Sequence, residues 1–506
     1  MSYLAGLIPV TQKAVNVCAY CRVRKQGCDR ALPRCQRCAA RGRHCDYTPF
    51  EKPPPAGEPD PEPLVLQHET CAHSDLSPRG TTELLRAVTA CINGPVPAAV
   101  SKLSETVHDI LELADVDLPQ ALEEFGPCVQ QWCPIIGEDL LKGCENDLSL
   151  PARRDRLNHP LLLLCLWLVT RRSCLDRVHV VQCALYSTLK QVLALLQCRP
   201  DVELEVLQIG LLIAVYELGN GLQKPGFQTL AASAAMLRTL ELDAKQRQDH
   251  DLTATVEWLK ASMLMVDRMI PISLTSDTLP LTLQPIDPIC ITTALRIGPT
   301  IPPHSPRPYA SSPRKVHIRS AVSIASGHVL TYIHTRQHDL KPDKTYDEVD
   351  DIINSCIKLL VDKPEPHTWL HCDAIAMAFC SHILLQQAQM RYLSTVATDY
   401  QQADYTKAHL ALKYSRRMAW DMVRVAIQKI TGEAEIAHLP FAGLCCVLRA
   451  GLAVLETKEF SGEDIVDVAE LDGFGRIVEW FASRWGLGEL YLMRTMELSG
   501  RRMMES

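Results

Sequence analysis

The chain has 506 residues, 47% of them hydrophobic but only 6% aromatic, and a formal net charge of −7. That length accommodates roughly two to four domains with ample core, and a leucine- and alanine-rich, aromatic-poor composition favours packed helices over a sheet-rich body. No apolar run reaches the roughly 18 residues that a bilayer crossing needs, so no membrane partner is expected, and LLLLCLWLV (161–169) reads as a core helix.

Residues 1–16 lack patterning and are expected to be a flexible N-terminus. The opening MSYLAGLIPV has no cationic n-region and only a short apolar stretch, so no secretory signal is expected. Next come six cysteines, Cys18, Cys21, Cys28, Cys35, Cys38 and Cys45, spaced C-x2-C-x6-C twice over. A C-x2-C pair suits tetrahedral Zn²⁺, because a tight turn brings both thiolates to about 2.3 Å from one metal. Six thiolates satisfy two zinc ions only if two of them bridge. The internal repeat points to the leading cysteine of each half, Cys18 and Cys35. Between Cys18 and Cys45 the charged residues are Arg22, Arg24, Lys25, Arg30, Arg34, Arg37, Arg41 and Arg43 against Asp29 alone, a net +7 on a chain that is otherwise −14. A compact cation on an acidic body is an electrostatic footprint for phosphate. Three disulfides in a secreted module, or a zinc-dependent protein-interaction scaffold, are the alternatives. RING- and LIM-like scaffolds use more ligands than these six cysteines supply.

This segment, residues 17–47, resembles the fungal zinc binuclear-cluster (Zn(2)-Cys(6)) DNA-binding domain of transcription factors. The likeness rests on the full cysteine pattern, the Arg22-x-Arg24-Lys25 run, the Cys28-Asp29 step and Pro33. The resemblance implies two short helices, with one zinc held by Cys18, Cys21, Cys28 and Cys35 and the other by Cys18, Cys35, Cys38 and Cys45. It implies a first helix near residues 19–26 in the major groove of double-stranded DNA. Arg24 and Lys25 would read a CGG-type triplet, and Arg22, Arg37, Arg41 and Arg43 would meet phosphates. A lysine or arginine is usual in that family just before the third cysteine, where this chain has Gly27. A nuclear regulator of RNA polymerase II genes follows by resemblance, with the transcription machinery as partner and control of a biosynthetic gene cluster in secondary metabolism as one possible role.

Residues 48–80 read as an acidic, proline-rich linker. DYTPFEKPPPAGEPDPEP (46–63) holds seven prolines and a net charge of −4, and as polyproline II its proline-rich part spans on the order of 45 Å. An acidic spacer of this kind is also a potential competitor with DNA for the basic face. Val100, Leu103, Val107, Ile110 and Ala114 make a heptad-like run of two heptads, short of the roughly three to four that define a coiled coil. An amphipathic helix packed on the body is the plainer reading, and homodimerisation remains open.

From 81 to 506 the pattern is repeatedly helical, as in 203–219, 227–242 and 253–269. Tyr216-Glu217, the helix that follows, Trp258 and the Val266-Asp267-Arg268 step resemble the family's middle homology region, an all-α regulatory domain. Asp267 and Arg268 read as a helix-end charge pair without chemistry. A proline-rich loop is expected at 271–315, with Ser305-Pro306 and Ser312-Pro313 as phosphorylation candidates. DIVDVAELDGFGRIVEWF (464–481) fits either an activation segment or two core helices around a turn at Gly473–Gly475. The fifteen cysteines outside the cluster read as buried free thiols. The expected architecture is mostly α: a small two-zinc domain of two short helices, a linker and a large helical domain. No enzyme is expected. Gly221-x4-Gly226 lacks the lysine of a phosphate loop, and His367 and His371 lack a carboxylate partner pattern. A second reading makes the helical domain a small-molecule sensor that gates DNA binding.

Overall fold

The structure is a computed structural model, and it describes residues 17–24, 27–32, 34–41, 45, 75–94, 97–136, 159–172, 183–199, 203–248, 250–275, 278–287, 313–361, 372–396 and 402–500. It divides into two compact units, Met1–Thr70 and Cys71–Ser506. The first carries α1 (Ala19–Val23) and α2 (Gln36–Ala39) around buried cysteines. The second is built of helices, with no strand among its described residues, in keeping with the composition.

The helical unit opens at α3 (Pro78–Asn93), where Ser77 caps the N-terminus and Pro78 occupies a position whose N–H would be unbonded in any case. Just before it, the Asp75 carboxylate accepts from the amides of Ala184 (2.7 Å) and Leu185 (3.1 Å) and pairs with Arg171. In α4 (Pro97–Leu113), Leu103, Val107 and Ile110 are buried, and the helix packs on α3 and α6 (His159–Thr170). The heptad-like stripe is therefore used within the unit, as an amphipathic helix on the body. α5 (Leu118–Phe125) runs into a π turn at Gly126–Gln130.

Two helices are apolar on nearly every side and lie at the centre of their neighbourhoods, as pattern and burial together require. α8 (Leu204–Gly219) packs against α6, α7 (Ala184–Gln197), α9 (Gln223–Arg247) and α10 (His250–Ile272). The predicted core helix at 161–169 is likewise buried. α16 (Phe441–Glu456) packs against α13 (Cys372–Val396), α14 (Gln402–Lys429) and α19 (Leu487–Ser499). α11 (Pro313–Gln337) and α12 (Tyr346–Val361) pack on α13, and α10 touches both central helices. Short α15 (Glu433–Ile436) and α17 (Lys458–Ser461) lead towards α18 (Val468–Arg484). Gly451 is needed on α16 because a Cβ there would fall 2.5 Å from the Phe474 ring.

Three expectations change. The turn expected at Gly473–Gly475 is helix, because α18 is started by a capping box between Asp467 and Glu470 and Phe474 is buried beneath it. Phe474, Ile477, Val478 and Phe481 are core, whereas Val468 at the start of α18 is exposed. The loop expected from 271 begins later, since α10 continues through Pro271 and residues 278–287 pack back with Leu281 and Leu283 buried. Asp267 and Arg268 hold that segment: Asp267 accepts from the Thr282 amide at 2.8 Å, and Arg268 donates to the Leu283 carbonyl at 2.7 Å and to the Ser323 carbonyl at 2.9 Å. They form a buried ion pair within α10, not a helix-end pair at the surface. Ser305-Pro306, Ser312, His367 and His371 lie outside the described residues, and Pro313 begins α11.

Candidate metal centre and nucleic-acid interface

The six cysteines converge on one small core. Cys18, Cys21, Cys35, Cys38 and Cys45 are buried and Cys28 packs against them. Their sulfurs form two groups of four, Cys18, Cys21, Cys28, Cys35 and Cys18, Cys35, Cys38, Cys45, each with all sulfurs within 4.8 Å of one another. Individual separations are 3.9 Å for Cys18–Cys35, 3.8 Å for Cys18–Cys38, Cys21–Cys35 and Cys28–Cys18, and 3.7 Å for Cys45–Cys35. Sulfurs at the corners of a tetrahedron around Zn²⁺, each about 2.3 Å from the metal, are about 3.8 Å apart. The spacing fits two tetrahedra sharing the Cys18–Cys35 edge, and an all-thiolate donor set suits zinc. A binuclear zinc site is what this arrangement can hold.

Protonation couples to that capacity. Burial pushes the Cys18 thiol well up, and the Cys35 thiol up to about 12, so without a cation both stay protonated near neutrality. Cys28 moves the other way. Burial opposes the change, but main-chain hydrogen bonds at Cys18 and Arg30 bring it below the ordinary thiol value. Zinc loading would therefore release protons from these thiols.

Local structure orients the two halves. Cys35 caps α2, its sulfur accepting from the Cys38 amide at 3.4 Å. Asp29 lies seven residues before Gln36, yet its carboxylate accepts from the Gln36 amide at 3.2 and 3.3 Å, tying the end of the first half to the start of α2. Sequence reasoning used Asp29 only as part of a Cys-Asp step, because no local spacing announces a cap seven residues away. α1 ends at Val23, short of the expected 26, and Arg24 follows in a turn. The Arg24 guanidinium stands 4.7 Å from the Tyr20 ring centroid, a cation–π contact whose four-residue spacing was visible in the sequence but was not used. Arg24, Arg37 and Arg41 are exposed, and Arg22 lies on α1. Lys25 and Arg43 lie outside the described residues, so three of the six proposed DNA contacts are placed as exposed cations. A Cβ on Gly27 would meet nothing within 4 Å.

The comparisons agree with this geometry. Residues 16–54 match the fungal Zn(2)-Cys(6) binuclear cluster domain. The N-terminus thus carries a fungal-type cluster of a non-catalytic, DNA-binding type. The chain is also 28% identical over 132 residues to the aspercryptin biosynthesis cluster-specific transcription regulator atnN of Emericella nidulans. That stretch takes in 24% of this chain and 19% of the relative's length, so the likeness is weak and partial. No solved structure matches. Among the described residues, no helix is long and apolar enough to cross a membrane.

Proposed function

We propose that the chain is a sequence-specific DNA-binding regulator of transcription. The observation that carries this reading is the pair of edge-sharing thiolate tetrahedra beside a short helix whose end presents an exposed arginine. In this reading residues 17–47 are the DNA-binding domain, and a linker leads to a regulatory domain of the middle-homology type that starts by Asp75 and not at 81, since Asp75 and the first turn of α3 belong to the helical unit. Cys18, Cys21, Cys28, Cys35, Cys38 and Cys45 hold two Zn²⁺, with Cys18 and Cys35 bridging. The bound metal would supply the cross-link between the two halves that their few apolar side chains do not. Arg24 and Lys25 donate to guanine O6 and N7 of a CGG-like triplet in the major groove. Arg22, Arg37, Arg41 and Arg43 meet phosphates, which set register and salt dependence without reading sequence. The site of action is the nucleus, at RNA polymerase II promoters, with the transcription machinery as partner. The relative's printed role favours a biosynthetic gene cluster as the target.

The test is fluorescence anisotropy of the zinc-loaded chain with a CGG-containing duplex and a scrambled one. Binding should be zinc-dependent and selective for CGG, and Arg24→Ala or Lys25→Ala should each cost about 1–3 kcal/mol and relax the triplet preference. Equal affinity for both duplexes would overturn sequence-specific reading, and binding to neither would reduce the cluster to a protein-interaction scaffold.

A further inference from the structure

The helical unit holds a cleft that the DNA-binding reading leaves unused. It opens where the end of α10 and the residues after it meet α11, α13 and α16, with an empty volume of about 460 Å³ counted out to its open mouth. Its walls differ in character. Leu274, Ile333, Leu384 and Ala388 form an apolar side, and the guanidiniums of Arg391 and Arg449 form a cationic one.

Arg449 is the unusual group. It is only 5% exposed, and its Nε donates to the Leu274 carbonyl at 2.9 Å. Its Nη1 is buried with no hydrogen-bond partner, and Glu456 Oε2 stands 3.6 Å from it, beyond bonding distance. That carboxylate is already engaged by Arg494 Nε at 3.0 Å and by the Gln387 amide at 2.8 Å. Arg391 is half exposed and sits 3.8 Å from the same oxygen. One buried carboxylate thus faces three guanidiniums. Glu497 relieves only Arg494, on the solvent side, and Glu459 acts on Arg391 only through space. Three guanidiniums gathered on one carboxylate leave this corner with a surplus of positive charge, which a further anion at the cleft would offset.

We infer that the cleft binds a small organic monocarboxylate, its carboxylate received by Arg391 and Arg449 and its apolar body laid against Ile333, Leu384 and Ala388. A planar guanidinium matches a planar carboxylate with parallel N–H···O bonds, which an ammonium does not. Glu456 faces the same guanidiniums and repels a doubly charged group, so a singly charged acid fits better than a phosphate. The apolar wall asks for a hydrocarbon portion, and the size of the cleft limits it to a few carbons or a single ring. The inference goes beyond the DNA-binding reading and does not rest on it.

The experiment uses the zinc-loaded full chain, thermal melting and titration calorimetry. Butyrate and benzoate are the probes, with butyramide and benzamide as neutral shape controls at constant ionic strength. At least one acid should raise the melting temperature saturably while its amide does not. Arg391→Gln, at the open rim, should weaken that acid by at least about tenfold with the circular dichroism unchanged. Arg449→Lys, which keeps the charge but loses the fork, should weaken it as well. Absence of saturable stabilisation by both acids overturns the inference, as does equal stabilisation by acids and amides, or an acid affinity indifferent to Arg391→Gln. DNA anisotropy on the same samples separates the two readings. Acid binding without CGG selectivity would sink the regulator and leave the cleft, and the reverse would sink only the cleft.

Discussion

Among the described residues, the N-terminal unit buries cysteines and little else, whereas the helical unit buries whole faces of leucine, valine, methionine and aromatic side chains. In the first, Tyr20 and Cys28 are the partly buried apolar groups packed against the thiols among the described residues. A core of that size is too small to offset chain entropy by hydrophobic burial, so bound zinc would supply the cross-links it lacks. The second unit needs no such help. One contiguous apolar cluster runs from Leu76 to Tyr491, and Cys91, Cys128, Cys133, Cys165, Cys380, Cys445 and Cys446 lie in it as small hydrophobes, whereas Cys198 and Cys372 are exposed, against expectation. The difference teaches that one chain can hold two domains by separate chemistries that fail under separate conditions.

Removing metal should break the comparison most visibly. Chelation at neutral pH is expected to abolish DNA binding and the order of residues 17–45 while leaving nearly all far-ultraviolet helicity. Anisotropy and circular dichroism recorded on one sample check this. Loss of most of the helical signal would mean the two units do not stand on different foundations.

A core truncation should do the converse. Phe481 is fully buried, stacked 5.9 Å from Phe441 and 6.3 Å from Tyr491. Phe481→Ala should cost the helical unit about 3–5 kcal/mol in urea denaturation. Zinc content, read by atomic absorption, should stay the same.

Acid should sharpen the contrast at Asp75. Burial works to raise its carboxyl, but the amides of Ala184, Leu185 and Leu76 and the charge of Arg171 outweigh that and hold it below the usual carboxylate range. A depressed folded-state value means the contribution is complete above the unfolded value, about pH 4, and is lost as pH falls through the folded one. Its side chain is 37% exposed. With that solvent screening, Asp75→Asn should cost no more than about 1 kcal/mol at pH 7. The difference from wild type should close near pH 2. Thermal melts across pH measure it, and a difference that persisted in acid would assign the effect to packing instead.

The smallest effect belongs to Gly27. Its surroundings are open and its backbone is not left-handed, so a longer side chain fits without strain. Gly27→Lys should restore one phosphate contact and steepen the log–log salt dependence of DNA binding by about 0.9. An unchanged slope would remove residue 27 from the phosphate-facing side.

Several features were legible because they depend on neighbours in sequence. The thiol spacing, the amphipathic stripe of α4 and the apolar run of α6 each encode their outcome within a turn or two. The continuous helix through Gly473–Gly475 was not legible, because glycine's local preference for a turn was overridden by burial of Phe474 against α16. Pro271 misled as well. It lies in the last turn of α10, one residue before the helix ends.

By itself, the sequence determined the six-thiol cluster, the excess positive charge around it and the helical character of the rest. Composition, spacing and periodicity are local quantities, and those properties depend on little else. Only the tertiary structure decided that the sulfurs stand at tetrahedral separations around a shared Cys18–Cys35 edge and that Asp29 caps α2. It alone brought Arg391, Arg449 and Arg494 to a single carboxylate from three helices far apart in the chain. Such arrangements depend on where packed helices bring distant residues, and no short window of sequence contains that information.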